Sequence, residues 1–446
     1  MDVTSKQFIP LADKAMADER LQTSMSLLGL GLSARRQMAK DALAEFDQLR
    51  DEARDIKNHT LENLDLYLEA FERKVVEKGG KVHWAHDDAE ARQIVLSICQ
   101  EANAKTVTKS KSMVTEEIDL VPWLEQHGMT AVETDLGEYI IQLRHERPSH
   151  IIAPAIHLNK DQVSDTFFEH HRQLGFNERL TERADLVAEA RQVLRSKFIS
   201  ADAGISGANF LVAETGTVVL VTNEGNAELT TGLPDTHIVV TGIEKVVPTL
   251  DDAATFIRLL GRSAAGMEIS QYTSFITGPK RPGDMDGPEN FHVVLVDNGR
   301  SAMLGSPFQD MLRCIRCSAC LNHCPVYLSV GGHAYGSVYN GPMGAVLTPQ
   351  LAGIDEAGHL PNASSFCGRC EEVCPVRIPL PDMMRAWRNR EFERGLSRPG
   401  MRWGMRAWNF LNLHPRLHRL ATGLVLRVLP WVSRRQGDFL SRLPAI

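Results

Sequence analysis

The chain has 446 residues, 43% of them hydrophobic and 24% charged, with a formal net charge of −7. That length exceeds one ordinary core and implies two to four domains, and the balanced composition excludes a disordered or fibrous chain. No apolar run reaches the length of a membrane span. The opening stretch "MDVTSKQFIPLADKAMADER" has no apolar run after a basic start. Arg35-Arg36 is followed by the polar, helical "QMAKDALAEFDQ", unlike a twin-arginine export signal. The expected location is the cytoplasm.

Residues 1–79 read as a helical segment. Leu43, Phe46, Leu49, Leu61, Leu64, Leu68, Phe71 and Val75 recur at helical spacing, and Gly79-Gly80 ends the run. These helices are expected to pack and to carry no chemistry. From residue 80 the pattern alternates. "KVHWA" is strand-like, "DDAEARQIVLSICQEANA" is a helix capped by Asp87 or Asp88, and "KTVTKS" is again strand-like. A helix through Trp123 follows, then the short strands "AVETDL" and "HIIAPAI". Strand signals are dense in "ANFLVAETGTVVLVTNEGNAEL", "HIVVTGI" and "FHVVLVDNG". The alternation predicts an α/β domain with a mostly parallel sheet over residues 80–300.

Residues 301–390 hold seven of the eight cysteines, clustered as metal ligands are rather than spread as disulfides. The eighth, Cys99, lies on the apolar face of a helix and reads as a core thiol. Cys314, Cys317, Cys320, Cys324 and Pro325 spell C-x2-C-x2-C-x3-C-P, the spacing with which bacterial ferredoxins hold iron–sulfur clusters. Zinc sites use two separated pairs instead. In such runs the fourth cysteine ligates the other cluster. A second group, Cys367, Cys370 and Cys374, has the same spacing with Ser364 where a first cysteine would stand. Exchange of the fourth ligands therefore predicts one cluster on Cys314, Cys317, Cys320 and Cys374. The second would rest on Cys324, Cys367 and Cys370. Its fourth corner is left to the Ser364 oxygen, a water, a partner's ligand, or nothing, as in a [3Fe-4S] cluster. The glycines at 331, 332, 336, 341 and 344 between the groups imply close backbone approach, packed on the clusters or facing a partner.

Taken with "GANFLVAETGTVVLVTNEGNAEL", "YTSFITGPKRPGDMDGPENFHVVLVDNGR", "AYGSVYNGPMGAVLTP" and the shortened "SSFCGRCEEVCPVRIPL", the chain resembles the lactate-utilisation protein B family over most of its length. The resemblance implies an isomerase/CoA-transferase-like lactate-utilisation domain joined to a mainly α-helical di-cluster ferredoxin-type domain. It implies two [4Fe-4S] clusters and a role as electron-transfer subunit of a system oxidising L-lactate to pyruvate. The implied partners are a companion iron–sulfur protein and a smaller protein carrying the same α/β domain.

No G-x-G-x-x-G follows a strand and no phosphate-loop motif is present, so a two-electron acceptor for lactate is not evident in this chain. Within the α/β domain, Lys109, Lys111 and Ser112 suit a carboxylate, and Glu116, Glu214, Glu224 and Glu244 offer acids. Lys109 and Glu214 are the weak candidates for a catalytic pair. The alternative reading makes this domain a small-acid-binding or catalytic unit with structural or regulatory clusters.

Residues 391–446 form a basic helical tail. From residue 401 it carries eight arginines and only Asp438 as an acid, with Trp403, Trp408 and Trp431, while the first 400 residues carry −14. A basic aromatic tail on an acidic body implies partner docking or contact with the inner face of a membrane, and nucleic acid is not expected.

Overall fold

This computed structural model describes residues 3–432, 434–436 and 439–442, with side chains through Val428. Asp438 and the side chains of Trp431, Arg434, Arg435 and Arg442 lie outside the described residues. The chain forms two compact units, residues 1–388 and 389–446.

The first unit opens with four helices, Phe8–Ala17, Glu19–Asp41, Phe46–Glu62 and Leu64–Glu77. Asp18 starts the second by accepting the amides of Arg20 and Leu21, as an N-cap does. The apolar stripe read from the sequence is buried: Phe46, Leu49 and Leu61 on the third helix, Leu64, Leu68, Phe71 and Val75 on the fourth.

Six strands make a wholly parallel sheet: β1 (Lys81–Ala85), β2 (Thr106–Lys109), β3 (Thr130–Glu133), β4 (Ala203–Ser206), β7 (Thr236–Gly242) and β10 (Asn290–Val296), in the order β1-β10-β7-β4-β2-β3. Both faces are covered. Leu64, Leu68, Phe71 and Val75 pack on one with Val239, Val293 and Leu295. Val95, Leu96 and Cys99 of the helix Asp88–Glu101 pack on the other with Ile205, Ile238 and Val294. That is why the central strands β7 and β10 read as nearly continuous apolar runs rather than alternating ones. Asp87 caps the helix, and burial pushes the Cys99 thiol up to about 12. Four further strands, β5 (Phe210–Val212), β6 (Thr217–Thr222), β8 (Val246–Val247) and β9 (Tyr272–Ile276), form a mixed sheet ordered β8-β5-β6-β9. β5 and β6 are a hairpin turned at Gly216, whose φ of +69° suits glycine.

One expected strand is absent. "HIIAPAI" is a series of turns and bends. His150 Nδ1 accepts the amides of Ile152 and Ala153, at 3.1 and 3.0 Å, which curls the chain, and Pro154 cannot donate to a ladder.

Beyond Val296 the chain breaks into short helices, among them Ala319–Asn322, Pro325–Val330, Gly341–Leu351 and Arg369–Glu372. The glycine-rich stretch is interior. A Cβ on Gly332 would lie 1.9 Å from the Ser149 carbonyl oxygen, and Gly341 through Pro349 are all buried. It packs against the rest of the unit rather than facing out.

In the second unit, the helices Pro399–Leu413 and Pro415–Val432 carry exposed Trp403, Trp408, Phe410, Leu420 and Leu424. Among the described residues no helix is long and apolar enough to cross a membrane.

Candidate functional site

The two cysteine motifs share one backbone device. Arg316 and Ser318, flanking Cys317, have φ of +58° and +61°. Phe366 and Gly368, flanking Cys367, have φ of +53° and +79°. Left-handed residues on both sides of a cysteine curl the chain into a tight loop, and three of these four carry a Cβ that disfavours the conformation. Each loop runs into a one-turn helix and then a Cys-Pro pair, so the second motif repeats the first with Ser364 in the place of Cys314.

The seven cysteines divide between two cavities. Cys314, Cys317, Cys320 and Cys374 line the first, with Ile151, Met311 and Leu380 among its walls. Cys324, Cys367 and Cys370 line the second, with Ser364, Phe366 and His323. Each motif thus sends its last cysteine to the other's cavity. The donor chemistry suits iron–sulfur clusters. Burial, reinforced by Cys374, pushes the Cys317 thiol up to about 12, and burial with Cys324 does the same to Cys370. Thiols so placed stay protonated unless a soft cation supplies the countercharge. The amides of Tyr327 and Ile378 point at Cys324 Sγ and Cys374 Sγ, at 3.5 and 3.4 Å, donors that favour thiolate.

The cavities differ in exposure. In the first, Cys317 and Cys374 are buried and Cys314 and Cys320 partly so. In the second, Cys367 is exposed, and the Arg369 amide and Ser365 hydroxyl lower its thiol below the usual range. Ser364 Oγ accepts the Phe366 amide at 3.2 Å, and Arg388 stacks 4.1 Å from the centre of the Phe366 ring.

The N-terminal helices brace this region through side-chain hydrogen bonds as well as packing. Arg50 is buried and donates from Nε and Nη2 to the Cys374 carbonyl at 3.0 and 2.8 Å, and from Nη2 to that of Glu372 at 2.6 Å. Arg36, also buried, donates to the Val373 carbonyl at 2.8 Å. Lys57 donates to the carbonyls of Glu244 and Val246. Burial and the nearby Lys245 bring its ammonium down to about 7.

A buried chain of charge joins the α/β domain to the first motif. Tyr339 donates to Glu117 Oε2 at 2.6 Å, and Arg300 grips both Glu117 oxygens, at 2.9 and 2.7 Å. Arg300 Nε lies 2.8 Å from Glu244 Oε2, and Arg316 Nη2 lies 3.3 Å from Glu244 Oε1. Burial alone would raise the Glu244 carboxyl, but Arg300 and Arg316 outweigh it and hold it down at about 2.

Next to the first cysteine cavity is a larger one of about 240 Å³. It opens at the C-terminal ends of β2, β4 and β7, where successive crossovers leave β2 and β4 in opposite directions, the usual ligand crevice of a parallel α/β sheet. A Cβ on Gly207 would lie 2.7 Å from Ser112 Oγ, so glycine there lets the β2 and β4 loops meet. Arg316 and Ile151 line both this cavity and the first cysteine cavity.

The candidate residues of the α/β domain part company here. Lys111, Ser112 and Glu224 line the 240 Å³ cavity. Lys111 is paired with Asp135 at 2.9 Å, Ser112 caps the helix Met113–Glu117, and Glu224 accepts the Leu136 amide. Lys109 and Glu214 are not among its lining residues. Lys109 is buried among Glu133, Glu116 and Glu138, at 2.9, 3.0 and 3.4 Å. Glu214 is exposed and accepts the Leu250 amide at the start of the helix Leu250–Ala265. Sequence reasoning passed over Arg36, Arg50, Glu117, Arg300 and Arg316. For Arg50 a signal exists: it stands in the apolar stripe of Phe46, Leu49 and Ala53, a position a solvated cation would avoid.

Residues 68–296 match the LUD domain family and residues 310–378 the 4Fe-4S dicluster domain family. The molecule is thus an iron–sulfur protein built on a LUD domain. More particularly, it belongs to the lactate utilization protein B family. It is 48% identical over 386 residues to "Lactate utilization protein B" of Geobacillus thermodenitrificans, covering 86% of this chain and 80% of that protein. Identity to "Lactate utilization protein B" of Bacillus subtilis is 46% over 386 residues, covering 86% and 80%. An Escherichia coli relative named "Uncharacterized electron transport protein YkgF" is 45% identical over 389 residues, covering 87% and 81%.

Proposed function

We propose that this chain is the electron-transfer subunit of a multi-protein system that oxidises L-lactate to pyruvate. In this reading Cys314, Cys317, Cys320 and Cys374 hold one [4Fe-4S] cluster. Cys324, Cys367 and Cys370 hold a second, either [4Fe-4S] with a non-cysteine fourth corner beside Ser364 or [3Fe-4S]. Two such clusters supply one-electron storage and relay. The observation that carries the reading is the division of the seven cysteines between two neighbouring cavities, each motif lending its last thiol to the other.

The protein residues have distinct tasks. Arg36 and Arg50 hold the backbone that carries Cys374, and the Tyr339–Glu117–Arg300–Glu244–Arg316 chain holds the first loop against the α/β domain. Exposed Cys367 gives the second site a face toward a redox partner, while the first site, with two cysteines buried and two half-buried, is less open to water. The reading assigns a companion iron–sulfur protein and a smaller LUD-domain protein as partners. The basic, aromatic tail docks to a partner or to the inner face of a membrane.

Anaerobic reconstitution of the full chain, with iron and sulfide counting and electron paramagnetic resonance, tests the reading. Two clusters, both reversibly reducible and both reduced by L-lactate once the companion proteins are added, are expected. Clusters that accept no electrons would overturn it.

A further inference from the structure

The 240 Å³ cavity is not used by the cysteine sites, yet it shares two walls with the first of them. Its size falls below the roughly 300–1,000 Å³ typical of drug-sized ligand sites, so a nucleotide cofactor does not suit it and a small acid does. Two groups of charge line it. One is Lys111, Asp135 and Glu224, already engaged with one another or with backbone. The other is Lys245 and Arg316.

This second group has unspent capacity. Lys245 is only 7% exposed, and its ammonium has no hydrogen-bond or ion-pair partner among the described residues. Thr241, 1% exposed, lines the same cavity, and its Oγ1 has no partner either. Arg316 has a single contact to a carboxylate, at 3.3 Å, and its guanidinium also stacks 5.0 Å from the Tyr339 ring. A buried cation without a partner is costly. A buried hydroxyl and two cations around one hollow are the donor set that a carboxylate satisfies. The carboxylates of Asp135 and Glu224 offer acceptors for a hydroxyl elsewhere on the same ligand.

We propose that this cavity binds a small hydroxy acid, its carboxylate held by Lys245, Arg316 and Thr241, and that Arg316 couples occupancy of the cavity to the redox state of the first cysteine site. The coupling half rests on the reading that this site holds a cluster; the binding half does not. The physical link is electrostatic. A bound anion adds negative charge beside Arg316, whose other side faces the cluster cavity, and a cluster gains negative charge on reduction. The acid therefore binds the oxidised protein more tightly than the reduced, and by linkage lowers the potential of the first cluster by the same factor.

The probes are L-lactate and, as an uncharged control, lactamide, titrated calorimetrically into the reconstituted full chain. Saturable binding of lactate and not of lactamide is expected. Lys245→Gln and Thr241→Val are expected to weaken lactate binding at least tenfold with iron content unchanged. Redox titration followed by paramagnetic resonance is expected to show the first cluster's midpoint falling by about 59 mV, equivalent to tenfold tighter binding by the oxidised form, with the second cluster unmoved. In Arg316→Gln that shift is expected to vanish; Lys245→Gln serves as the control should Arg316→Gln lose iron. Absence of lactate binding in a chain with full iron, or binding indifferent to Lys245→Gln, overturns the site. Binding without a shift, or an equal shift of both clusters, overturns the coupling. A chain that binds lactate but holds no reducible cluster refutes the functional reading above and the coupling, and leaves the binding site standing.

Discussion

The two cysteine cavities have the same loop geometry and opposite surroundings. The first is complete in cysteine, braced by Arg36 and Arg50 and tied through Glu117 and Arg300 into the α/β domain. The second has three cysteines, one of them exposed, and the Arg388–Phe366 stack beside Ser364. Repetition of a motif therefore fixes ligand placement, while the neighbours decide whether the site is sealed or open to exchange.

Cys374→Ser is the strongest test of this contrast. It is expected to remove the first cluster's paramagnetic signal and about half of the iron, while Cys370→Ser, in the neighbouring segment, removes only the second. Loss of the same signal in both variants would abolish the distinction. Glu117→Gln leaves Arg300 underpaired in the interior. A buried pair broken on one side costs about 3–5 kcal/mol, so thermal unfolding should shift down and the first signal should broaden before the second.

Acid gives the next effect. Burial, partly offset by the bond to Asn322, brings the His150 imidazole down to about 4 from an ordinary 6.5. The fold holds it neutral, so its contribution is fully present above pH 6.5 and is lost as pH falls toward 4. The size is roughly 3 kcal/mol. Urea unfolding at pH 7 and pH 5 should show the loss, and His150→Gln should flatten it. Because Asn322 lies between Cys320 and Cys324, iron release on acidification should start in His150-intact protein at a higher pH than in the variant.

Arg50→Ala removes charged hydrogen bonds to the carbonyls of Cys374 and Glu372, each worth about 1.5–3 kcal/mol. Faster iron loss to a chelator from the first site alone is the expected result. The smallest effect belongs to Ser364→Ala. Stability should stay within about 0.5 kcal/mol, and only the second cluster's signal should change. An equal change in both would show that the corner beside Ser364 is not specific to one site.

Much of this architecture was readable because local rules and the fold agree. The stripe from Phe46 to Val75, the strands "KVHWA" and "HIVVTGI", and the cysteine spacing each carry their own periodicity. "HIIAPAI" misled because its apolar content mimics a strand while His150 captures the amides a ladder would need. The Lys109–Glu214 pair failed to meet because motif proximity says nothing of three-dimensional placement: one side chain faces three acids and the other caps a helix. Lys245 and Arg316 were invisible as neighbours, since about seventy residues separate them and only the β7 turn and the first cysteine loop bring them to one hollow.

The Arg50 brace has a consequence for how the protein is made. The clamp and the carbonyl it holds are 324 residues apart. On a ribosome, the first three cysteines of the buried site emerge well before Cys374, and Arg50 waits through nearly the whole of synthesis for its partner. Iron delivered early would meet an unfinished nest, so loading of the first site should follow the emergence of Cys374. A fragment cut to residues 310–378 would contain every cysteine of both sites and still lack the arms that close the first.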